Sequence, residues 1–183
     1  MLNSAYPPSE DSYFPQTIEQ DIALMLCHGD PYDEVHAYYT QDPEDDPWQD
    51  RATDIDPQPE SLEELIRMVS EEYKRAVPHA SEDATKIASL EDAFKQRNIA
   101  WSFDDGWDKG EAAQDGVEKA REINADGYAY CTLQDVDGLI HTGTLYIGYS
   151  STSAQEEETR TIGHRVCEVL KEQGLNPTWD GNT

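Results

Sequence analysis

Carboxylates and one imidazole recur in the second half of the chain, close to where predicted strands end. If the first two strands of the predicted sheet run parallel, their ends bring these side chains to one edge. Clustered carboxylates without nearby bases either bind a hard cation or raise one another's pKa. The first two also precede a helix, where carboxylates cap free N–H groups, so both explanations stay open. The set comprises Asp104, Asp105, Gln134, Asp135, Asp137 and His141.

Other candidates for chemistry have simpler explanations. His164 and Cys167 lie three residues apart on a predicted helix, but helical phase points the histidine away from the buried face. We therefore predict an exposed histidine beside a half-buried cysteine. No CxxC, HxxxH or HExxH spacing occurs, and no glycine-rich phosphate loop, so the sequence predicts neither zinc nor a cofactor.

The charge of the chain restricts its partners. The chain has 39 acidic and 13 basic residues, which gives a formal charge of −26 at pH 7. Such a field repels phosphate backbones and anionic lipid, so we expect neither nucleic-acid nor membrane binding. Three explanations of the charge stay open: solubility in a salty habitat, a docking surface for a basic protein, and mimicry of DNA.

Cysteine usage and the N-terminal residues predict a cytoplasmic protein. The three cysteines, Cys27, Cys131 and Cys167, are an odd and widely spaced set, which fits a reducing compartment. The first residues show no basic start or apolar run that would mark a signal peptide. No segment approaches the length needed to span a bilayer. The oligomeric state is left open.

The first third of the chain predicts helices separated by an acidic linker. Residues 1–16 are polar and proline-bearing, which predicts a loose arm, and helices follow at about 17–28 and 33–40. Prolines and like charges oppose regular structure from about 42 to 59. Trp48 lies in this linker, where an indole either packs onto a neighbouring domain or awaits a partner. We predict residues 1–60 as arm, short helices and linker, and 61–183 as an α+β domain.

In the predicted domain 61–183, apolar residues first follow helical spacing and then alternate between strand and helix patterns. Ser61-Leu62-Glu63-Glu64 is a capping box that opens a helix to about residue 77, and another helix runs to about 97. From there the predicted order is β-α-β-β-α-β, with strands near 99–103, 128–133, 144–149 and 175–179. This order predicts a four-stranded sheet preceded by several helices, compatible with a ferredoxin-like split βαβ fold.

Short motifs near the C-terminus give a resemblance. Gly127-Tyr128, Gln134-Asp135, Leu145-Tyr146-Ile147-Gly148-Tyr149 and Trp179-Asp180-Gly181 all lie within residues 127–181. This region resembles an uncharacterised bacterial domain family of unknown function that is common in actinobacteria. Thr132 stands where relatives often carry histidine, so the resemblance implies no metal or thiol chemistry and no activity for this chain.

These observations lead to one preferred hypothesis and two alternatives. The preferred one is a non-enzymatic interaction or regulatory protein of the bacterial cytosol, with an acidic surface and with Trp48 and Trp107 as partner contacts. The first alternative is a metal-dependent hydrolase built on the carboxylate edge. The second is an immunity or anti-nuclease protein whose acidic face covers a basic partner.

Overall fold

A computed structural model describes residues 17–41, 48–52, 55–56 and 58–182 of the chain. These residues form nine helices and one three-stranded sheet. Backbone contacts group the chain into two compact units, Met1–His79 with Ile140–Gly143, and Ala80–Leu139 with Thr144–Thr183. The predicted arm at 1–16 and the acidic stretch at 42–47 lie outside the described residues.

The described residues between 17 and 79 of the first unit form four helices. They are α1 (Ile18–His28), α2 (Tyr32–Thr40), α3 (Trp48–Arg51) and α4 (Leu62–Ala76). The N-cap predicted at Ser61 is present, because Ser61 Oγ accepts the Glu64 N–H at 3.2 Å, and at the start of α1 Thr17 Oγ1 likewise accepts the Gln20 N–H at 3.3 Å. These bonds satisfy N–H groups that the first turn of a helix leaves without partners.

Aliphatic side chains at helical spacing make the core of the first unit. Ile18 and Ile22 of α1 and Leu65, Ile66 and Val69 of α4 are all fully buried. Burial of each such side chain contributes about 1.5–3 kcal/mol before the entropy of ordering the chain is counted. Helix α4 packs on α1 and α2, so this core is helix on helix.

The second unit alternates helices and strands. Its elements are α5 (Glu82–Ala88), α6 (Leu90–Gln96), β1 (Ile99–Ser102), α7 (Lys109–Glu122), β2 (Gly127–Tyr130), α8 (Leu133–Thr142), β3 (Gly148–Ser151) and α9 (Glu156–Glu172). The last residues of α8 fall in Ile140–Gly143, which groups with the first unit.

The sheet of the second unit is mixed. Strand β2 is central, parallel to β1 and antiparallel to β3. Helix α7 connects the parallel pair and packs on Ala100, Tyr128 and Tyr130. Trp101 points to the opposite face, where its ring stacks on Phe94 of α6 at 5.1 Å between centroids. Helix α9 packs on β3 and also contacts α6.

The prediction of a four-stranded sheet in β-α-β-β-α-β order is wrong. Residues 133–142 form helix α8 and not a hairpin turn, because Thr132 and Asp135 cap a helix start there. Residues 175–179 pair with no strand in the part of the chain that the structure describes. Trp179 Nε1 instead donates to the Asn182 carbonyl at 2.9 Å, and Trp179 packs edge-on against Tyr149. The α+β class is correct, but a ferredoxin-like topology is excluded.

The contacts place α4 in the first unit, whereas the predicted boundary at residues 60–61 assigns it to the second. Contact grouping does not establish which part folds alone, so the domain boundary stays a prediction. No helix in the described ranges combines the length and the apolar character that crossing a bilayer requires.

Candidate functional site

The loop between β1 and α7, residues 103–108, carries aromatic and acidic side chains, and we call it the acidic loop. Its backbone turns through left-handed conformations at Asp104 (φ 59°) and Gly106 (φ 73°). A Cβ at Gly106 would lie 2.7 Å from the Ala112 amide nitrogen, so the loop packs tightly on the first turn of α7. Asp108 Oδ1 accepts the N–H groups of Gly110 and Glu111 at 2.7 and 3.1 Å.

The segment after β2 runs beside the acidic loop and opens α8. Thr132 donates both its N–H and its hydroxyl to Asp135 Oδ2, at 3.0 and 2.9 Å. The Asp135 N–H donates back to Thr132 Oγ1 at 3.1 Å, which completes a reciprocal cap. The Leu133 N–H donates to the Gly106 carbonyl at 3.3 Å and so ties the segment to the acidic loop.

A buried thiol lies where the two segments meet. Cys131 follows β2 directly, is fully buried, and its N–H donates to the Ser102 carbonyl at 3.1 Å. The pKa of its thiol is raised to about 12, chiefly by burial; the Asp104 N–H lowers it, and the carboxylates of Asp104, Asp135 and Asp105 add smaller increases. The thiol therefore stays protonated at neutral pH and is a poor nucleophile.

The predicted carboxylate set is spread over two segments. Asp104 and Asp105 follow β1 and Asp135 lies in the first turn of α8, and all three raise the pKa of the Cys131 thiol. Gln134 is exposed and Asp137 half-buried on α8, whereas His141 lies in the segment grouped with the first unit. In the described ranges, no group of three or more His, Cys, Asp or Glu side chains is arranged to hold a metal ion.

One polar group at this edge lacks a partner. Ser102 ends β1 and is 1% exposed, and its hydroxyl has no hydrogen-bond partner among the described residues. Strand alternation places its side chain on the same face as Ala100, the face that α7 covers. Residue spacing alone predicts neither the unpartnered Ser102 hydroxyl nor the burial of Cys131. The spacing Thr132-x-x-Asp135 before Val136 is the sequence signal for the α8 cap.

A family model matches residues 18–183, and its description is Domain of unknown function (DUF6891). The chain belongs to this family. The match covers both units and therefore far more than the region 127–181 in which the resemblance was found. No curated protein and no solved structure matches the chain.

The two tryptophans predicted as contacts differ in this DUF6891 member. Trp107, in the acidic loop, is 57% exposed. Trp48 is half-buried and packs against the core of the first unit, so it ties its segment to that core. The DUF6891 chain thus presents one tryptophan of this pair broadly to solvent, next to carboxylates.

The histidine and the cysteine of α9, His164 and Cys167, have different surroundings. The exposed His164 ring packs edge-on against Trp179 at 4.8 Å between centroids. Burial raises the pKa of the Cys167 thiol, although Lys171 opposes the change. A protonated thiol beside an imidazole engaged with an indole offers no activated nucleophile.

Proposed function

We propose that this DUF6891 chain is a non-enzymatic interaction protein of the bacterial cytosol whose acidic surface binds a basic protein partner. The observation that carries the proposal is the formal charge of −26 combined with a broadly exposed indole among carboxylates. Aromatic side chains beside polar residues are enriched in protein interfaces, and charge complementarity accelerates association.

The state of the thiols supports a role without covalent chemistry. All three cysteines are free, and burial raises the pKa of Cys27 to about 11 and of Cys131 to about 12. Thiols with such pKa values carry almost no thiolate at neutral pH. Recognition by charge and aromatic contact needs no thiolate.

The proposal is tested by binding of a fluorescent lysine-rich peptide, with a glutamate-rich peptide of equal length as control. We expect saturable one-to-one binding of the basic peptide alone, with a dissociation constant that rises about tenfold from low to high salt as screening increases. Equal binding of both peptides, or binding of neither, would contradict the proposal.

A hydrolase that uses a metal ion is the competing proposal, since Asp104, Asp105 and Asp135 follow the ends of two parallel strands. A specific ion at a hundredfold its dissociation constant would stabilise the fold by about 2.7 kcal/mol. Thermal unfolding in Mg²⁺, Ca²⁺ or Mn²⁺ is compared with Na⁺ at equal ionic strength, for the wild type and for Asp104→Asn/Asp135→Asn. We expect equal stabilisation by all ions in both proteins, because screening alone should act.

A further inference from the structure

The residues that follow α9 turn back along that helix. The Leu175 N–H donates to the Leu170 carbonyl at 2.9 Å, and Trp179 packs against His164, more than a helical turn nearer the start of α9. Half-buried and exposed residues alternate from 175 to 180, as they do along an extended chain that lies on a surface. We call residues 175–182 the latch segment, because side-chain contacts fasten its far end.

The far end of the latch segment lies between side chains of α9 and β3. The Trp179 ring packs edge-on against the Tyr149 ring at 5.9 Å and against the His164 ring at 4.8 Å between centroids. A Cβ at Gly163 would lie 2.8 Å from Cζ2 of Trp179, so the glycine leaves the space that the indole fills. We call Tyr149, Gly163 and His164 the seat.

Gly163 shows that the seat is a built feature of α9. It is buried inside the helix Glu156–Glu172, where alanine is normally the more stable residue. A Cβ there would lie 2.8 Å from Cε2 of Tyr149 as well, so the glycine makes room for both rings. The helix therefore carries an unfavourable residue at the position where the indole enters.

The latch segment supplies its own geometry for this contact. Asp180 Oδ1 accepts the Asn182 N–H at 3.0 Å, and Asp180 Oδ2 accepts the Asn182 side-chain amide at 2.9 Å. This turn presents the Asn182 carbonyl to two donors, Trp179 Nε1 at 2.9 Å and the Tyr149 hydroxyl at 2.8 Å. Recognition by the seat thus uses an indole and a carbonyl that one short turn holds together.

Side chains hold the latch segment, so it can open without breaking the sheet. Within the described residues, the bond from Leu175 to Leu170 is its single backbone-to-backbone bond to the rest of the chain, and no strand pairs with it. Gly174, with φ 78°, joins it to α9, and a Cβ there would meet only the Lys86 side chain, at 3.6 Å. Segments with few backbone bonds open at a low cost in free energy.

We propose that the latch segment is exchangeable, and that the seat also receives the latch segment of a second copy of this chain. The ring contacts of Trp179 and the hydrogen bond from Tyr149 join the latch segment directly to the seat, so a second copy can reproduce them. Within one chain the latch segment competes at a high effective concentration, so exchange needs an emptied seat or concentrated protein. Such self-association is independent of the basic partner.

Two variants of the full chain with complementary defects test the exchange. Trp179→Ala keeps the seat but lacks the indole, whereas Gly163→Ala keeps the indole but fills the seat with a Cβ. We expect sedimentation velocity to show dimer in the mixture and far less dimer in either variant alone at the same total concentration. Salt should increase the dimer, because each copy carries a formal charge of −26 and screening lowers the repulsion. A mixture that sediments as the separate variants do would overturn the proposal.

Peptide binding gives a second measurement, which does not require Gly163→Ala to fold. A fluorescent peptide with the sequence of residues 174–182 is titrated with the full chain and followed by anisotropy. We expect Trp179→Ala to bind it, and the wild type to bind at least about tenfold more weakly because its own latch segment competes. The same peptide with alanine in place of tryptophan is the control and should not bind. The exchange is refuted if Trp179→Ala does not bind the peptide, if the wild type binds it equally well, or if the control peptide binds as tightly.

Discussion

The two units build their cores from different side chains. The first buries aliphatic residues such as Ile22, Leu65 and Val69 between helices. The second places alanines and tyrosines between α7 and the sheet. Elsewhere it buries aliphatic side chains such as Leu90 and Ile162, and Phe94 stacks on Trp101. The second unit thus adds large aromatic rings to an aliphatic core, and each ring buries a large area.

Loss of a central ring should therefore have the largest effect. Phe94 is fully buried and stacks on Trp101, so Phe94→Ala is expected to lower the free energy of unfolding by about 3–5 kcal/mol. Urea unfolding measures the change, with Val69→Ala in the first unit as the comparison. A loss for Phe94→Ala no larger than that for Val69→Ala would break the contrast between the cores.

A glycine in α7 provides a sharper test of close packing. Alanine normally stabilises a helix interior over glycine by about 1 kcal/mol. A Cβ at Gly116, however, would lie 2.5 Å from Cδ2 of the Tyr128 ring. Gly116→Ala should therefore destabilise the protein by about 1–3 kcal/mol, measured by thermal unfolding.

The tyrosine ring is the stated cause, so its removal is the control for Gly116→Ala. In a Tyr128→Val background the same glycine substitution should be neutral or stabilising. A destabilisation that persists without the ring would place the conflict elsewhere in the second unit.

The same contrast explains how far the sequence predicts the structure. Helix α4 follows from its capping box and its aliphatic spacing, and the predicted bounds agree closely with the structure. The sequence predicts the fold of the second unit less well, because Asp137-Gly138 is a common hairpin signal but here lies inside α8. The helix cap that Thr132 and Asp135 form overrides the local preference of Asp137-Gly138 for a turn.

For the candidate site, too, the sequence predicts the order of the strands' ends better than the features that depend on tertiary packing. Parallel pairing of β1 and β2 agrees with the pairing that the carboxylate hypothesis required, but a common site for Asp104, Asp105 and Asp135 stays a prediction. Spacing could not reveal the unpartnered Ser102 hydroxyl or the burial of the Cys131 thiol, since both depend on tertiary packing. The tail 175–179 has strand-like residues, yet its tryptophan packs on Tyr149 and His164.

Alkaline pH should weaken the fold through the buried thiol of the second unit. The pKa of Cys131 rises from an ordinary 9.0 to about 12 on burial, so above pH 9 the unfolded chain loses this proton and the folded chain keeps it. The stability is thus fully present below pH 9 and falls by up to about 1.4 kcal/mol per pH unit above it. Cys131→Ala should show a shallower decline in melting temperature between pH 9 and pH 11, whereas an unchanged slope would contradict the burial of this thiol.

The smallest expected effect comes from backbone strain before α9. Ala154 has φ 55°, a left-handed conformation that a Cβ disfavours, and its N–H donates to the Ser151 carbonyl at 3.1 Å. Glycine adopts this conformation without the steric cost but loses more entropy on folding. Ala154→Gly should therefore stabilise the protein by about 0.5–1 kcal/mol, measured by urea unfolding.

Asn124→Gly is the matched control, because Asn124 has φ 54° and asparagine tolerates this conformation well, so its change should be close to zero. Equal gains at both positions would mean that general flexibility, and not relief of strain at Ala154, sets the result.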